Sequence, residues 1–197
     1  MNMSCNNSIK SGNIYIISGQ WKGRKLPVPN NANVRPTANR VRETLFNWLA
    51  PYIQQSRCLD CFAGSGALGL EALSRYADLV TFLELKRSIA HLLMQNLKKL
   101  CALQAKVIET NTLQFLSQTK QVSQYDIVFI DPPFRKGLTE KTIRLLEETG
   151  WLANNAWIYV ESEVENSQLH TPNNWHQHRK KIAGQVVYYL YKRYQKI

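Results

Sequence analysis

From Arg57 to Ser162, five short apolar runs alternate with stretches of helical periodicity, and this alternation constrains the fold before any single residue is considered. The runs are RCLDCF (57–62), LVTFLE (79–84), AKVIE (105–109), YDIVFID (125–131) and AWIYVES (156–162), and the helical patterns cover 67–76, 87–100, 112–119 and 138–149. Strand–helix–strand units close by right-handed crossovers, which predicts an α/β fold with a mostly parallel sheet covered on both faces. The end of the chain breaks the pattern. HQHRKKIAGQVVYYLYKRY holds two extended runs meeting at Ala183 and Gly184, the signature of a hairpin, so the expected sheet has seven strands and an antiparallel edge.

Ahead of the alternation, a polar tail runs to about Asn13, and IYIISGQWKGRKLPVP then reads as a strand, a turn and a second extended piece. RPTANRVRETLFNWLAPY reads as a loop and a helix, with Val41, Leu45, Trp48 and Leu49 at helical spacing and Pro51 near its stop. The expected division is a basic N-terminal extension over 1–52 and a main domain over 53–197. No apolar run approaches the roughly 20 residues of a membrane span, and the N-terminus lacks a leader pattern, so a cytoplasmic protein is expected.

The formal charge of +11 is segregated. Residues 1–50 carry seven Lys or Arg against one acid, residues 51–165 carry 12 against 13, and residues 166–197 carry six against none. A neutral middle with two basic ends suits a protein that binds a polyanion, and nucleic acid is the expected partner. Cys58 and Cys61 form a C-x-x-C, yet neither a second Cys pair nor a spaced His pair completes a zinc site. Their odd separation at the end of a strand directs them to opposite faces, so they read as buried free thiols, with no metal expected.

The first strand of the alternation runs into LDCFAGSGALGLEAL, in which Gly64, Gly66 and Gly69 make G-x-G-x-x-G between a strand and a helix. Such a loop brings backbone N–H groups close to a nucleotide-like ligand. Spacing alone does not separate NAD from S-adenosylmethionine. Asp60, just ahead of the loop, suits the cationic amino-acid end of S-adenosylmethionine and would repel a pyrophosphate. A nicotinamide would also need a second mononucleotide-binding half, for which so short a chain has no room. Phe62, Ala63, Ser65 and Leu85 complete the expected surroundings of the loop. Glu84 ends the second strand about 20 residues on, where a carboxylate can accept from both ribose hydroxyls. Asn111 and Thr112, past the third strand, share that edge and are candidates for the adenine.

The fourth strand ends in Asp131, Pro132, Pro133 and Phe134. Two prolines discard two backbone donors and stop both strand and helix, and an acid at the margin of a core is costly without partners. Packing does not account for such a stretch. D-P-P-F resembles the motif by which S-adenosylmethionine-dependent methyltransferases address exocyclic amino groups of bases. The resemblance implies that the Asp131 carboxylate and the Pro132 carbonyl accept from such an amino group, whose lone pair is delocalised into the ring, and favour its rehybridisation toward a methyl group. Phe134 offers a face for an unpaired or flipped base.

GQWKGRKLPVP, RPTANRVRETLFNWL, LDCFAGSGALGLEALSR, FIDPPFRKG, IYVESE and AGQVVYYLY together resemble the RsmD family, bacterial enzymes that methylate N2 of one guanine in 16S ribosomal RNA. The resemblance implies a Rossmann-like class I methyltransferase fold, S-adenosylmethionine as cofactor, and 16S rRNA within the assembled or nearly assembled small subunit as substrate. A monomer is expected. Composition and spacing do not separate guanine from adenine, so an adenine N6 enzyme acting on DNA and a non-catalytic RNA- or nucleotide-binding module stay open. Where such enzymes often carry a second acid two residues after Glu84, this chain has Lys86. Trp21, Lys22, Arg24, Lys25, Arg35, Arg40 and Arg42 mix cations with an aromatic ring as RNA-binding segments do, and Arg135 and Lys136 follow D-P-P-F directly, placed to hold phosphates that flank the target.

Overall fold

The computed structural model describes residues 12–28, 36–118, 124–166 and 168–195. Strands β1 (Gly12–Tyr15) and β2 (Lys25–Val28) pair antiparallel and lead to helix α1 (Pro36–Leu49). The alternating part follows as β3 (Arg57–Asp60), α2 (Ala67–Ser74), β4 (Leu79–Glu84), α3 (Arg87–Lys99), β5 (Ala105–Glu109), α4 (Thr112–Leu116), β6 (Tyr125–Ile130), α5 (Leu138–Glu148) and β7 (Leu152–Glu163). The hairpin of β8 (Trp175–Ala183) and β9 (Val186–Arg193) ends the chain, turning at Gly184 with φ +62°. Among the described residues no helix is long and apolar enough to cross a membrane.

The expected seven-stranded sheet is present, in the order β5-β4-β3-β6-β7-β9-β8. The first five of these strands are parallel, and β9 and β8 join antiparallel. The buried parallel strands are nearly continuous in apolar residues because helices cover both of their faces. Strand β7 begins at Leu152, four residues before the apolar run, with the polar Asn154 and Asn155 exposed at its start.

Two apolar clusters lie on the two sides of the sheet. One joins Phe82, Phe129, Tyr159 and Leu190 to α1, α2, α3 and the β1–β2 hairpin; the other joins Val128, Ile158 and Tyr189 to Leu116, Ile143 and Leu146. Cys58 belongs to the first and Cys61 to the second, each fully buried and free, as their odd spacing at a strand end predicts.

The N-terminal segment is built into this core. The buried Glu71 carboxylate on α2 accepts from the backbone N–H groups of Ile17 (2.8 Å) and Ser18 (3.0 Å) and from Arg75 Nε (2.9 Å). Trp21 N–H donates to Ser74 Oγ, and Gln20 N–H to the Ser74 carbonyl, which ties the hairpin turn to the end of α2.

Candidate active site

The chain leaves β3 toward β4 and β5 on one side and returns to β6 on the other, so the sheet order reverses between β3 and β6. Crevices at the carboxyl ends of strands form at such a reversal. The loop after β3 bridges both neighbours: Cys61 N–H donates to the Phe129 carbonyl (3.0 Å) and Ala63 N–H to the Leu83 carbonyl (2.9 Å). Gly66, immediately before α2, has φ +77°, a conformation that side chains rarely adopt. Gly69 is small for a different reason, since a Cβ there would meet the Phe82 ring at 2.2 Å; its absence lets α2 lie close against β4. A Cβ added at Gly64 would meet only the Phe62 carbonyl, at 3.9 Å, so the crest of the loop is open to a ligand.

Three carboxylates surround this loop and the reversal. Asp60 is buried and accepts from Gly69 N–H (3.2 Å). Burial pushes its pKa up to about 7, against the lowering by the backbone N–H groups of Gly69 and Phe62. Such a group is poised to ionise beside a cation. Glu84 accepts from Gly64 N–H (2.9 Å) and Lys86 N–H (2.8 Å), so the backbone of Lys86 anchors the carboxylate while its exposed side chain takes no part. Asp131, one step past the Ile130–Val160 pair, stands at the end of β6 beside Glu161 of β7. Burial, then the neighbouring Glu161 charge, hold the Asp131 carboxyl well above the usual carboxylate range, and the two acids share a hydrogen bond. Tyr159 O–H donates to Glu161 Oε1 (2.6 Å). Like charges this close favour one shared proton, which makes the two acids a coupled pair.

Glu161 and Tyr159 were not among the residues chosen from sequence. The available signal was an acid in YVES, at the carboxyl end of the next strand, but its meaning depends on β7 lying against β6. Beyond Asp131 the chain forms the wall of a cleft of about 350 Å³, lined by Pro132 to Glu140, Glu161 to Glu163, Glu165, Gln168 and Leu169. Pro132 is buried, whereas Pro133 and Phe134 are exposed, with Phe134 47% accessible. Arg135 is left-handed (φ +58°), and its N–H donates to Glu163 Oε1 (2.6 Å), so the exposed Arg135 and Lys136 stand at the cleft mouth. A cleft of similar size lies at the opposite edge of the sheet, lined by Tyr52, Asp126, Trp157 and Lys192, and neither cleft is lined by a residue of the glycine loop.

The structure brings together Asp60, the 62–66 loop, Glu84, Asn111 and Asp131 at one sheet edge. Asn111 is exposed and caps α4 by accepting from Gln114 N–H. The expectation for Thr112 is corrected: its side chain is buried, and its hydroxyl donates inward to the Cys61 carbonyl, bracing the loop.

The expected RNA residues divide. Trp21 is 8% exposed within the core, so its ring is not a stacking platform. Arg42 is also buried; it donates to the Tyr15 carbonyl and to Asn39, and it lies 4.0 Å from Glu71, so both residues are structural. Burial lowers the Arg42 pKa, and Glu71 opposes that effect. Lys22, Arg24 and Lys25 are exposed, but their turn sits at the end of α2, about 12 Å along the helix from the glycine loop. Arg40 is exposed near the start of α1, and Arg35 lies outside the described residues.

A reversed parallel sheet, an open glycine loop flanked by Asp60 and Glu84, and D-P-P-F at the next strand end together define the S-adenosylmethionine-dependent methyltransferase fold. The family described as "Conserved hypothetical protein 95" matches residues 14–192. "Ribosomal RNA small subunit methyltransferase D" of Escherichia coli (strain K12) is 60% identical over 183 residues, 93% of this chain and 91% of that protein. The protein of the same name from Haemophilus influenzae is 53% identical, over 91% of this chain and 94% of that one. The solved structure "Putative methyltransferase yhhF from Escherichia coli" superposes with a TM-score of 0.88 at 57% identity, covering 94% of this chain and all of the other. The chain belongs to this family, the RsmD family.

Proposed function

We propose that the protein transfers a methyl group from S-adenosylmethionine to the exocyclic N2 of one guanine of 16S rRNA, within the assembled or nearly assembled small ribosomal subunit. The observation that carries this reading is the Asp131-Pro132-Pro133-Phe134 wall, set one strand from the glycine loop, in a chain 60% identical to a small subunit methyltransferase.

The residues present fit the cofactor: Asp60 would face its cationic end, the open crest at Gly64 would cover its middle, and Glu84 would meet its ribose. When bound, it supplies a methyl group on a sulfonium, a good leaving group. The chain's own residues do the rest. Asp131 and the Pro132 carbonyl accept from the target amino group and aim its nitrogen. Pro132 and Pro133 hold that geometry stiff, and the exposed Phe134 ring supports the base plane. Burial first, and then Glu161, itself fixed by Tyr159, hold the Asp131 pKa up. A cation entering the site favours the ionised form of the pair, so Asp131 becomes an acceptor when the site is loaded.

The test is transfer of labelled methyl to unmodified small subunits, free 16S rRNA and duplex DNA in parallel, with the labelled nucleoside identified. Label in N2-methylguanosine from subunits is the expected result. Label confined to DNA adenine would replace this reading with an adenine N6 enzyme.

A further inference from the structure

The six cations of residues 166–197 have no place in the site described above, and the fold gathers most of them on its last strand pair. Strand β8 is the outermost strand of the sheet, and every residue from His176 to Ile182 is exposed, so neither of its faces carries a helix layer. Arg179, Lys180 and Lys181 stand in a row there. Among the described residues no carboxylate lies within ion-pair reach of any of them. The ammonium of Lys180 lies 5.2 Å from the Tyr189 ring centre on one face, and that of Lys181 lies 6.0 Å from the Trp48 ring centre on the other. The rings position these two charges without neutralising them, and both residues stay exposed.

Register connects this row to the active site. Lys181 pairs with Tyr188, and Tyr188 pairs with Glu161, so all three lie on one line across the sheet. With neighbouring strands about 4.8 Å apart, the Lys181 backbone stands roughly 10 Å from Glu161 and roughly 15 Å from Asp131. The cations of the β1–β2 turn, in contrast, lie at the far end of α2.

We propose that the edge of β8 is a second contact surface for the RNA, with Arg179, Lys180 and Lys181 holding the phosphate backbone beside the nucleotide that enters the cleft. This inference rests on the RNA reading above. Edge strands also carry lysines to block edge-to-edge aggregation, and β8 has the register shift at Gln177 and Arg179 that serves the same end. Charge of either sign provides that protection, but only positive charge binds phosphate.

The experiment follows from this difference. The R179E/K180E/K181E variant keeps a charged edge and reverses its sign, and R179Q/K180Q/K181Q removes the charge alone. Each is compared with the wild type for methyl transfer to unmodified small subunits and for binding to free 16S rRNA across a salt series, with S-adenosylmethionine binding as the control for folding. The reversal is expected to raise the KM for subunits at least tenfold, with the effect in KM rather than kcat. The neutral variant should flatten the salt dependence by roughly 0.7–0.9 of a unit for each phosphate that the edge no longer neutralises. Equal KM and equal salt slope in all three proteins would overturn the inference and leave the RNA reading intact. A weakening on subunits with none on free 16S rRNA would also overturn it, because the edge would then meet a ribosomal protein. A wild type that neither binds 16S rRNA nor methylates subunits would remove the reading and the inference together.

Discussion

Asp60 carries its carboxyl inside the protein with a pKa of about 7. Because that value lies above the unfolded one, its ionisation weakens the ligand-free fold as pH rises from about 4 through 7, whereas a bound cation favours the same ionised form. Affinity for S-adenosylmethionine should therefore fall about tenfold for each pH unit below 7 and level off above it. Equilibrium binding between pH 5.5 and 8.5 measures this, and Asp60→Asn should flatten the curve; a flat wild-type curve would remove Asp60 from the cofactor site. Asp131 obeys the same electrostatics with Glu161 as the like charge. Asp131→Ala should reduce transfer by about 100-fold or more while the protein stays folded. Glu161→Gln removes the repulsion, so the acidic limb of the rate profile should move to lower pH. An unmoved limb would mean that Glu161 does not set the charge of Asp131.

At the scale of elements, α2 joins two tasks: its start follows the glycine loop, and Glu71 and Ser74 hold the N-terminal hairpin. Glu71→Ala would strand two backbone donors and the guanidiniums of Arg42 and Arg75. A cost of about 3–5 kcal/mol is expected, read as a lowered midpoint in urea unfolding. This arrangement also shows where sequence reasoning stops. Strands and helices were legible because apolar periodicity is local, and the gathering of Asp60, Glu84 and Asp131 was legible because strand ends in an α/β chain share one edge. The burial of Trp21 and Arg42 was not, since it depends on Ser74 and Glu71, 53 and 29 residues along the chain. Glu161 was missed for a related reason: the order of strands in a sheet is not written in any one strand.

Across the whole molecule, the basic N-terminal segment and the methyltransferase core share one apolar interior. Ile14, Ile16, Leu26, Val41, Leu45 and Phe46 pack in the same cluster as Leu70, Phe82 and Phe129, and the Phe46 and Phe129 rings lie 5.9 Å apart. A segment that contributes this much of a core has no separate stability to lose, so the chain should unfold in a single transition. Helical signal and tryptophan fluorescence, from five tryptophans along the chain, should give coincident denaturation curves. Phe46→Ala removes a fully buried ring from the N-terminal side of that interface. It should displace both curves together by about 3–5 kcal/mol, the usual cost of such a cavity. Two curves that separate, with only one displaced by the substitution, would mean that residues 1–52 fold as a unit of their own.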